Sequence, residues 1–333
     1  MIDKTKVGVI GLGGIAQLVH LPILSKLDNV QLVSLAEINK SRLKSVGEKY
    51  PSAKQYTDYK EMLLKEELDA IIISTPTDTH EKIAIDCLEN KKNILIEKPA
   101  ARNLKETKEI ASTAKKVKKI AMVGMNSRFR PDTMLLRSIV NSGELGELFY
   151  INCSWLRKKS SLQKWFTNKS LSGGGVIIDL GIVILDLALW MLGDNIESVS
   201  VQKYDHTKNG IEDCAVGIIR FSSGEVVNFE VSWELPSHTD SFNLLVHGTK
   251  GSVCLNPFRI FKRSEALNID YSPNKSANVQ NLFRKSYENE LKHFIGTIRE
   301  GTALISSIDE SLSRMKLLES IYKSAETKKE IRF

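Results

Sequence analysis

Short apolar runs alternate with amphipathic stretches through the first third of the chain. Val7 to Ile10, Val30 to Ala36, Ala70 to Ser74, Ile94 to Ile96 and Ile120 to Val123 are runs of the kind that parallel strands buried on both faces display. Between them apolar residues recur at helical spacing. The segment Asn103 to Val117 also carries its own start signal, with Asn103 as N-cap and Glu106 three residues later. This alternation predicts a doubly wound parallel sheet. One more helix is expected around Pro131 to Ile139, ending near Gly143.

After Glu147 the pattern changes. Glu147 to Arg157, Ile196 to Tyr204, Cys214 to Phe221, Glu225 to Trp233, Phe242 to Val246 and Ser252 to Leu255 read as strands, several alternating apolar with polar, and Ser222-Ser223-Gly224 reads as a hairpin turn. A large, open, mostly antiparallel sheet follows. A long apolar helix, Val176 to Leu192, lies between its first two strands and closes at Gly193. Amphipathic helices at about Leu282 to Arg299 and Ile308 to Glu326 finish the chain, with a last strand at Ile331 to Phe333. The fold class is therefore α/β, with a Rossmann doubly wound domain over residues 1–125 and a C-terminal α/β domain over 126–333. The final strand and helices are expected to pack back on the first domain.

Composition narrows the function classes. The 333 residues are 42% hydrophobic and 26% charged, ordinary for a globular protein. No run approaches the roughly 18 consecutive apolar residues of a membrane helix, and Met1 to Lys6 leads into a strand without an apolar leader, so a cytoplasmic protein without a membrane partner is expected. The net charge of +7 comes mostly from lysines scattered as in Lys115-Lys116-Val117-Lys118-Lys119, without interleaved aromatics, so no nucleic-acid partner is expected. Cys87, Cys153, Cys214 and Cys254 share no metal-like spacing and read as free thiols; no metal is expected.

Candidate chemistry begins where the first strand runs into Gly11-Leu12-Gly13-Gly14-Ile15-Ala16. This is a dinucleotide fingerprint in its required setting: Gly11 permits the tight turn, Gly13 lets the backbone approach a pyrophosphate, and Ala16 allows close helix packing. The following helix start supplies amide donors for phosphate. The second strand ends in Glu37, placed to accept from ribose hydroxyls and to repel a 2′-phosphate, so NAD is expected over NADP, with Lys40 and Arg42 acting against that preference. A lysine then stands at a strand's carboxyl end, in Glu97-Lys98-Pro99, where open α/β sheets bind their ligands.

With those residues the chain resembles the glucose-fructose oxidoreductase/inositol dehydrogenase (Gfo/Idh/MocA) family over nearly its whole length. Further marks are His20-Leu21-Pro22, Ser74-Thr75-Pro76-Thr77 with His80, Asn126-Ser127-Arg128-Phe129, Trp165-Phe166, Gly173-Gly174-Gly175 leading to Asp179, and His247-Gly248-Thr249-Lys250-Gly251. The resemblance implies hydride transfer between nicotinamide and a secondary alcohol or ketone of a sugar, cyclitol or nucleotide sugar, in a homodimer or homotetramer. It places Ser74, Thr75, Pro76, Thr77, His80, Glu97, Lys98 and Asn126 with the cofactor. Arg128, Trp155, Arg157, Trp165 and Asp179 would border the substrate.

One position departs from the family. Relatives usually carry a histidine acid/base four residues after the aspartate of the glycine-rich helix, and here Asp179-Leu180-Gly181-Ile182-Val183 puts valine there. Residues at i and i+4 share a helix face, so Asp179 and Val183 are expected to point together, with Asp186 on the next turn. Valine transfers no proton. Three readings follow: a dehydrogenase or reductase in which Lys98 is the acid/base and Asp179 orients the hydroxyl; one in which His238 enters the cleft; or a catalytically impaired NAD- and sugar-binding sensor. Arg128 and Arg157 would grip an anionic group, Trp155 and Trp165 would stack on a sugar ring, and the lysines of Lys158 to Lys164 bind an anion or are solvated.

Overall fold

The computed structural model describes residues 4–159, 163–206, 210–234, 240–264, 267–273 and 278–333. It divides into two compact units, Met1–Asn126 with Ser286–Leu312, and Ser127–Lys285 with Ser313–Phe333.

The first unit holds β1 (Thr5–Ile10), β2 (Val30–Ala36), β3 (Lys54–Tyr56), β4 (Ala70–Ile73), β5 (Asn93–Glu97) and β6 (Ala121–Gly124). Among the described residues they form one sheet of order β3-β2-β1-β4-β5-β6, with every pairing parallel. This is the doubly wound arrangement, and its strand order reverses between β1 and β4. β4 and β5 are buried along their whole length. They lie in the middle of the sheet, so the continuous apolar runs of the sequence are the physical signature of that position.

The helix after β1 differs from expectation. It opens with a π turn, Ala16–His20, before the short helix Leu21–Leu24. Pro22 has no amide hydrogen, and its ring would crowd the carbonyl four residues back, so the wider turn accommodates it. The turn faces the fully buried His20 inward. The helix Leu104–Val117 starts as expected, with Asn103 Oδ1 accepting from the Glu106 amide at 2.9 Å.

The second unit holds β7 (Leu148–Leu156), β8 (Ile196–Tyr204), β9 (Cys214–Phe221), β10 (Val226–Ser232), β11 (Ser241–Gly248), β12 (Gly251–Leu255), β13 (Arg259–Ser264), β14 (Leu267–Asp270) and β15 (Ile331–Arg332). Their order is β14-β13-β12-β11-β7-β10-β9-β8-β15, antiparallel except for β7 against β10. One face is covered: in β9 the residues Ala215, Gly217, Ile219 and Phe221 are buried while Val216, Ile218 and Arg220 are exposed. β13 and β14 extend the sheet beyond the strands read from the sequence.

Two expectations change here. The final strand pairs with β8 in the second unit, and residues 286–312, not the chain end, belong with the first. The apolar helix is also not uniform, because a π turn, Ile177–Gly181, precedes the α-helix Ile182–Leu192. The stretch Lys169–Leu192 is long and apolar enough to cross a membrane, yet 89% of its apolar window is buried inside the fold. A core helix has that environment.

Candidate cofactor and substrate residues

The carboxyl ends of β1, β4 and β5 are neighbours in the first unit, so the Gly11 turn, the Ser74-Thr75 turn and Glu97-Lys98 emerge side by side. Gly11 has φ +87°, and a Cβ there would lie 2.7 Å from both the Ser74 carbonyl oxygen and Thr75 Cγ2. Only glycine fits. At Gly13 a Cβ would meet nothing closer than 4.0 Å, and at Gly14 nothing within 4 Å, so the backbone there is open to an approaching ligand. Ala16 is fully buried. This turn meets the steric demands of a pyrophosphate cradle, and Leu12 packs inward from it.

Around the cradle most polar side chains serve the backbone. Glu37 is buried; its carboxylate accepts from the Leu12 amide at 3.0 Å and the Asn39 amide at 2.9 Å, and it takes Arg42 Nη1 at 3.1 Å. Ser74 Oγ donates to the Gly11 carbonyl at 2.8 Å. Thr79 Oγ1 donates to Thr75 Oγ1 at 2.7 Å, and Thr77 is buried while Pro76 is exposed.

Two residues placed with the cofactor by resemblance have other work. His80 is buried with Nδ1 2.9 Å from the Pro99 carbonyl and Nε2 2.8 Å from that of Thr75. Burial pushes the imidazole below its ordinary range against the pull of those carbonyls, and the ring ties the β4 turn to the β5 turn. Glu97 Oε1 is 2.8 Å from His20 Nε2, so it anchors the strand end inward. Lys98 follows, half-buried, ahead of a cis bond to Pro99. Asn126 Nδ2 donates to Ser286 Oγ at 2.9 Å.

In the second unit Asp179 is half-buried, and its Oδ2 accepts from Trp233 Nε1 at 3.1 Å. Phe166 stacks at a tilt against Trp233 with centroids 5.2 Å apart, and Trp165 meets Phe166 edge-on at 5.4 Å. Lys159 Nζ lies 5.1 Å from the Trp233 ring centre and 3.8 Å from Glu234. Asp179 therefore sits at the end of an aromatic row whose inner ring, the buried Trp233, has a cation over it. Trp233 was not anticipated. Its signal was its place just past an alternating strand.

The glycines before Asp179 have a packing reason. Gly173 has φ +88°, and a Cβ on Gly174 or Gly175 would lie 2.0 Å from Tyr322 Oη or the Glu212 carbonyl oxygen. Glu212 is buried, and its Oε1 accepts from the Gly175 and Ile177 amides and from Tyr322 Oη. It caps the turn that presents Asp179.

Other expected substrate residues are placed differently. Arg128 is 1% exposed and gives Nε and Nη2 to Asp186 at 2.7 and 2.5 Å, with Arg314 Nε also on Asp186 at 2.9 Å. The two guanidiniums hold the Asp186 carboxyl below its usual range against desolvation, so this buried triad is internal scaffolding and not an exposed anion grip. Asp186 accordingly does not continue an exposed face from Asp179. Trp155 packs edge-on to Phe242 at 5.3 Å, and Arg157 lies 5.8 Å from the Trp155 ring centre and 3.6 Å from Asp240. Val183 is buried. His238 and residues 160–162 lie outside the described residues. Among those described, no three metal-ligating side chains come together.

A parallel sheet of order 3-2-1-4-5-6 with a glycine cradle at its reversal point and an acidic residue ending β2 defines a dinucleotide-binding oxidoreductase. The match to known families is direct: residues 5–125 fit the oxidoreductase family with NAD-binding Rossmann fold, and residues 133–254 fit the GFO/IDH/MocA C-terminal domain. The chain belongs to the Gfo/Idh/MocA family. It is 27% identical to a D-glucoside 3-dehydrogenase of Escherichia coli K12, over 97% of this chain and 95% of that one. It is 28% identical to a scyllo-inositol 2-dehydrogenase (NAD(+)) of Bacillus subtilis, over 94% and 92%. Its fold matches levoglucosan dehydrogenase in complex with NADH and levoglucosan at TM-score 0.88, 19% identity and 99% coverage of both chains.

Proposed function

We propose that the protein is an NAD-dependent dehydrogenase or reductase acting on a secondary alcohol or ketone of a sugar, cyclitol or nucleotide sugar. The observation that carries this reading is the adjacency of the Gly11 cradle, the Ser74-Thr75 turn and Lys98 at the carboxyl ends of β1, β4 and β5. The names of the glucoside and inositol relatives support the substrate class. Bound NAD would supply the hydride acceptor, and NADH the donor.

The chain's own residues would do the rest. Gly11 to Ala16 hold the pyrophosphate, and Glu37 takes the ribose hydroxyls; its buried carboxylate favours NAD over the 2′-phosphate of NADP, although Arg42 on the same carboxylate offsets part of that preference. Lys98 is the acid/base, taking the hydroxyl proton on oxidation and returning it on reduction, because valine stands where the family places its histidine. Asp179, held by Trp233, orients the reacting hydroxyl. The uncovered face of the second sheet, carrying Val216, Ile218 and Phe261, is where we place a dimer or tetramer contact.

The test is a screen of aldoses, cyclitols and nucleotide sugars followed by NADH absorbance. Turnover lost in Lys98→Ala and kept in His238→Ala supports this assignment. Loss in His238→Ala with retention in Lys98→Ala transfers the proton to the histidine. No turnover with any polyol, alongside measurable NAD binding, makes the protein a sensor.

A further inference from the structure

Asp179 and Trp233 share a hydrogen bond, and both hang from the same two residues elsewhere in the chain. Glu212 binds the turn before Asp179 through three consecutive amides: its carbonyl accepts from Val176 at 2.9 Å, and its Oε1 accepts from Gly175 at 2.8 Å and from Ile177 at 3.2 Å. Asp179 follows within the π turn, its amide donating to the Gly175 carbonyl at 3.1 Å. The carbonyl of Asp213, the next residue after Glu212, accepts from the Trp233 amide at 2.8 Å. Trp233 Nε1 then donates to Asp179 Oδ2 at 3.1 Å, which closes a ring of hydrogen bonds through the Glu212-Asp213 dipeptide.

Tyr322, on the helix Ile308–Thr327, reaches this ring from outside. Its hydroxyl donates to Glu212 Oε1 at 2.8 Å. A Cβ on Gly174 would lie 2.0 Å from that hydroxyl, so the glycine leaves the space through which the tyrosine meets the carboxylate. Glu212, Asp213 and Trp233 are all buried. A partner lost there leaves a buried polar group unpaired, and in a connected network the remaining members shift in response.

We propose that Glu212 and Tyr322 are positioning residues for Asp179. Glu212, fixed by the Tyr322 hydroxyl, sets the turn on one side and the Trp233 strand end on the other, and so sets the length and aim of the Trp233–Asp179 bond. This rests on the reading of Asp179 as the residue that orients the reacting hydroxyl.

The test is 15N NMR of the indole N–H groups in the full chain saturated with NAD. The chain has four tryptophans, and the resonance missing from Trp233→Phe belongs to Trp233. Its displacement in Asp179→Ala, where the acceptor is gone, sets the scale. Tyr322→Phe, which removes one hydroxyl and keeps the ring, should move it part of the way. Glu212→Leu should move it further, and Glu212→Gln, which retains an acceptor oxygen, less than Glu212→Leu. The Trp190 resonance, from a ring that faces Arg128 and Arg137, should stay in place. An unmoved Trp233 resonance in Tyr322→Phe or Glu212→Leu overturns the proposal, as does equal displacement in Glu212→Gln and Glu212→Leu. Equal movement of Trp190 and Trp233 also overturns it, because that is general loosening. If Glu212→Leu fails to fold, Tyr322→Phe decides. The readout needs no turnover: an unmoved resonance leaves the dehydrogenase reading standing, whereas a moved one in a protein that turns over no polyol retains the positioning and removes the hydroxyl role.

Discussion

The two units build their candidate sites by different means. In the first, the cradle is made of backbone: Gly11 and Gly13 supply shape, and Glu37, Ser74 and His80 spend their polar atoms on neighbouring amides and carbonyls. In the second, Asp179 is presented by side chains brought from distant positions, Trp233 from the end of β10 and Glu212 from the segment before β9. A backbone surface depends on a few glycines close in sequence. A side-chain surface depends on the register of a whole sheet. The first tolerates little change at its glycines, and the second can be re-tuned one side chain at a time.

That contrast can be broken most sharply at Gly11. Gly11→Val puts a branched side chain into a positive-φ position where even a Cβ overlaps Ser74, at about 1–3 kcal/mol for the conformation alone. NAD binding by calorimetry should be lost, and retained affinity would refute the cradle. Lys98→Ala is expected to lower turnover by about 10²–10⁴-fold while NAD affinity stays within a few-fold, since general acid/base groups contribute that much; a similar loss in affinity would make Lys98 a binding residue instead. Trp233→Phe removes the donor to Asp179 and should cost roughly 1 kcal/mol in kcat/KM. Calorimetry on the same variant should find NAD affinity unchanged, because Gly11, Gly13 and Glu37 all belong to the first unit and Trp233 to the second.

The smallest effect concerns pH. Glu290, completely buried on the helix Val279–Glu300, has a folded-state affinity for its proton raised by that burial above that of the unfolded chain, so its contribution to stability is complete below the ordinary carboxylate range and fades as pH rises toward the folded value. Glu290→Gln removes that linkage. Its melting temperature relative to the wild type should therefore climb between about pH 5 and pH 8. A constant difference across that interval would mean that Glu290 does not hold its proton.

The same contrast explains what could be read from the chain. The parallel sheet was visible because β4 and β5 are buried on both faces and carry continuous apolar runs, and the cradle was visible because a tight turn must be glycine at Gly11. Arg128 misled for the opposite reason: arginine suits an anion grip and a buried pair equally, and its partner Asp186 is 58 residues away. Trp233 was passed over because its place just past an alternating strand suits a core tryptophan and a carboxylate's partner equally. The contacts of His80 and Glu97 depend on backbone carbonyls and on His20, which no spacing rule connects to them.

The π turn at Ile177–Gly181 has a consequence for chain length. A π turn accommodates one residue more than an α-helix would, with Ile182 donating to Ile177. Counting four positions on from Asp179 crosses that surplus, so the residue one turn away shifts from Val183 toward Ile184. A single deletion within Ile177–Gly181 should thus be the least disruptive length change available to the buried helix: Ile182–Leu192 would keep its packing, and a different side chain would come to stand beyond Asp179. Variation by insertion and deletion, not only by substitution, is open to this site.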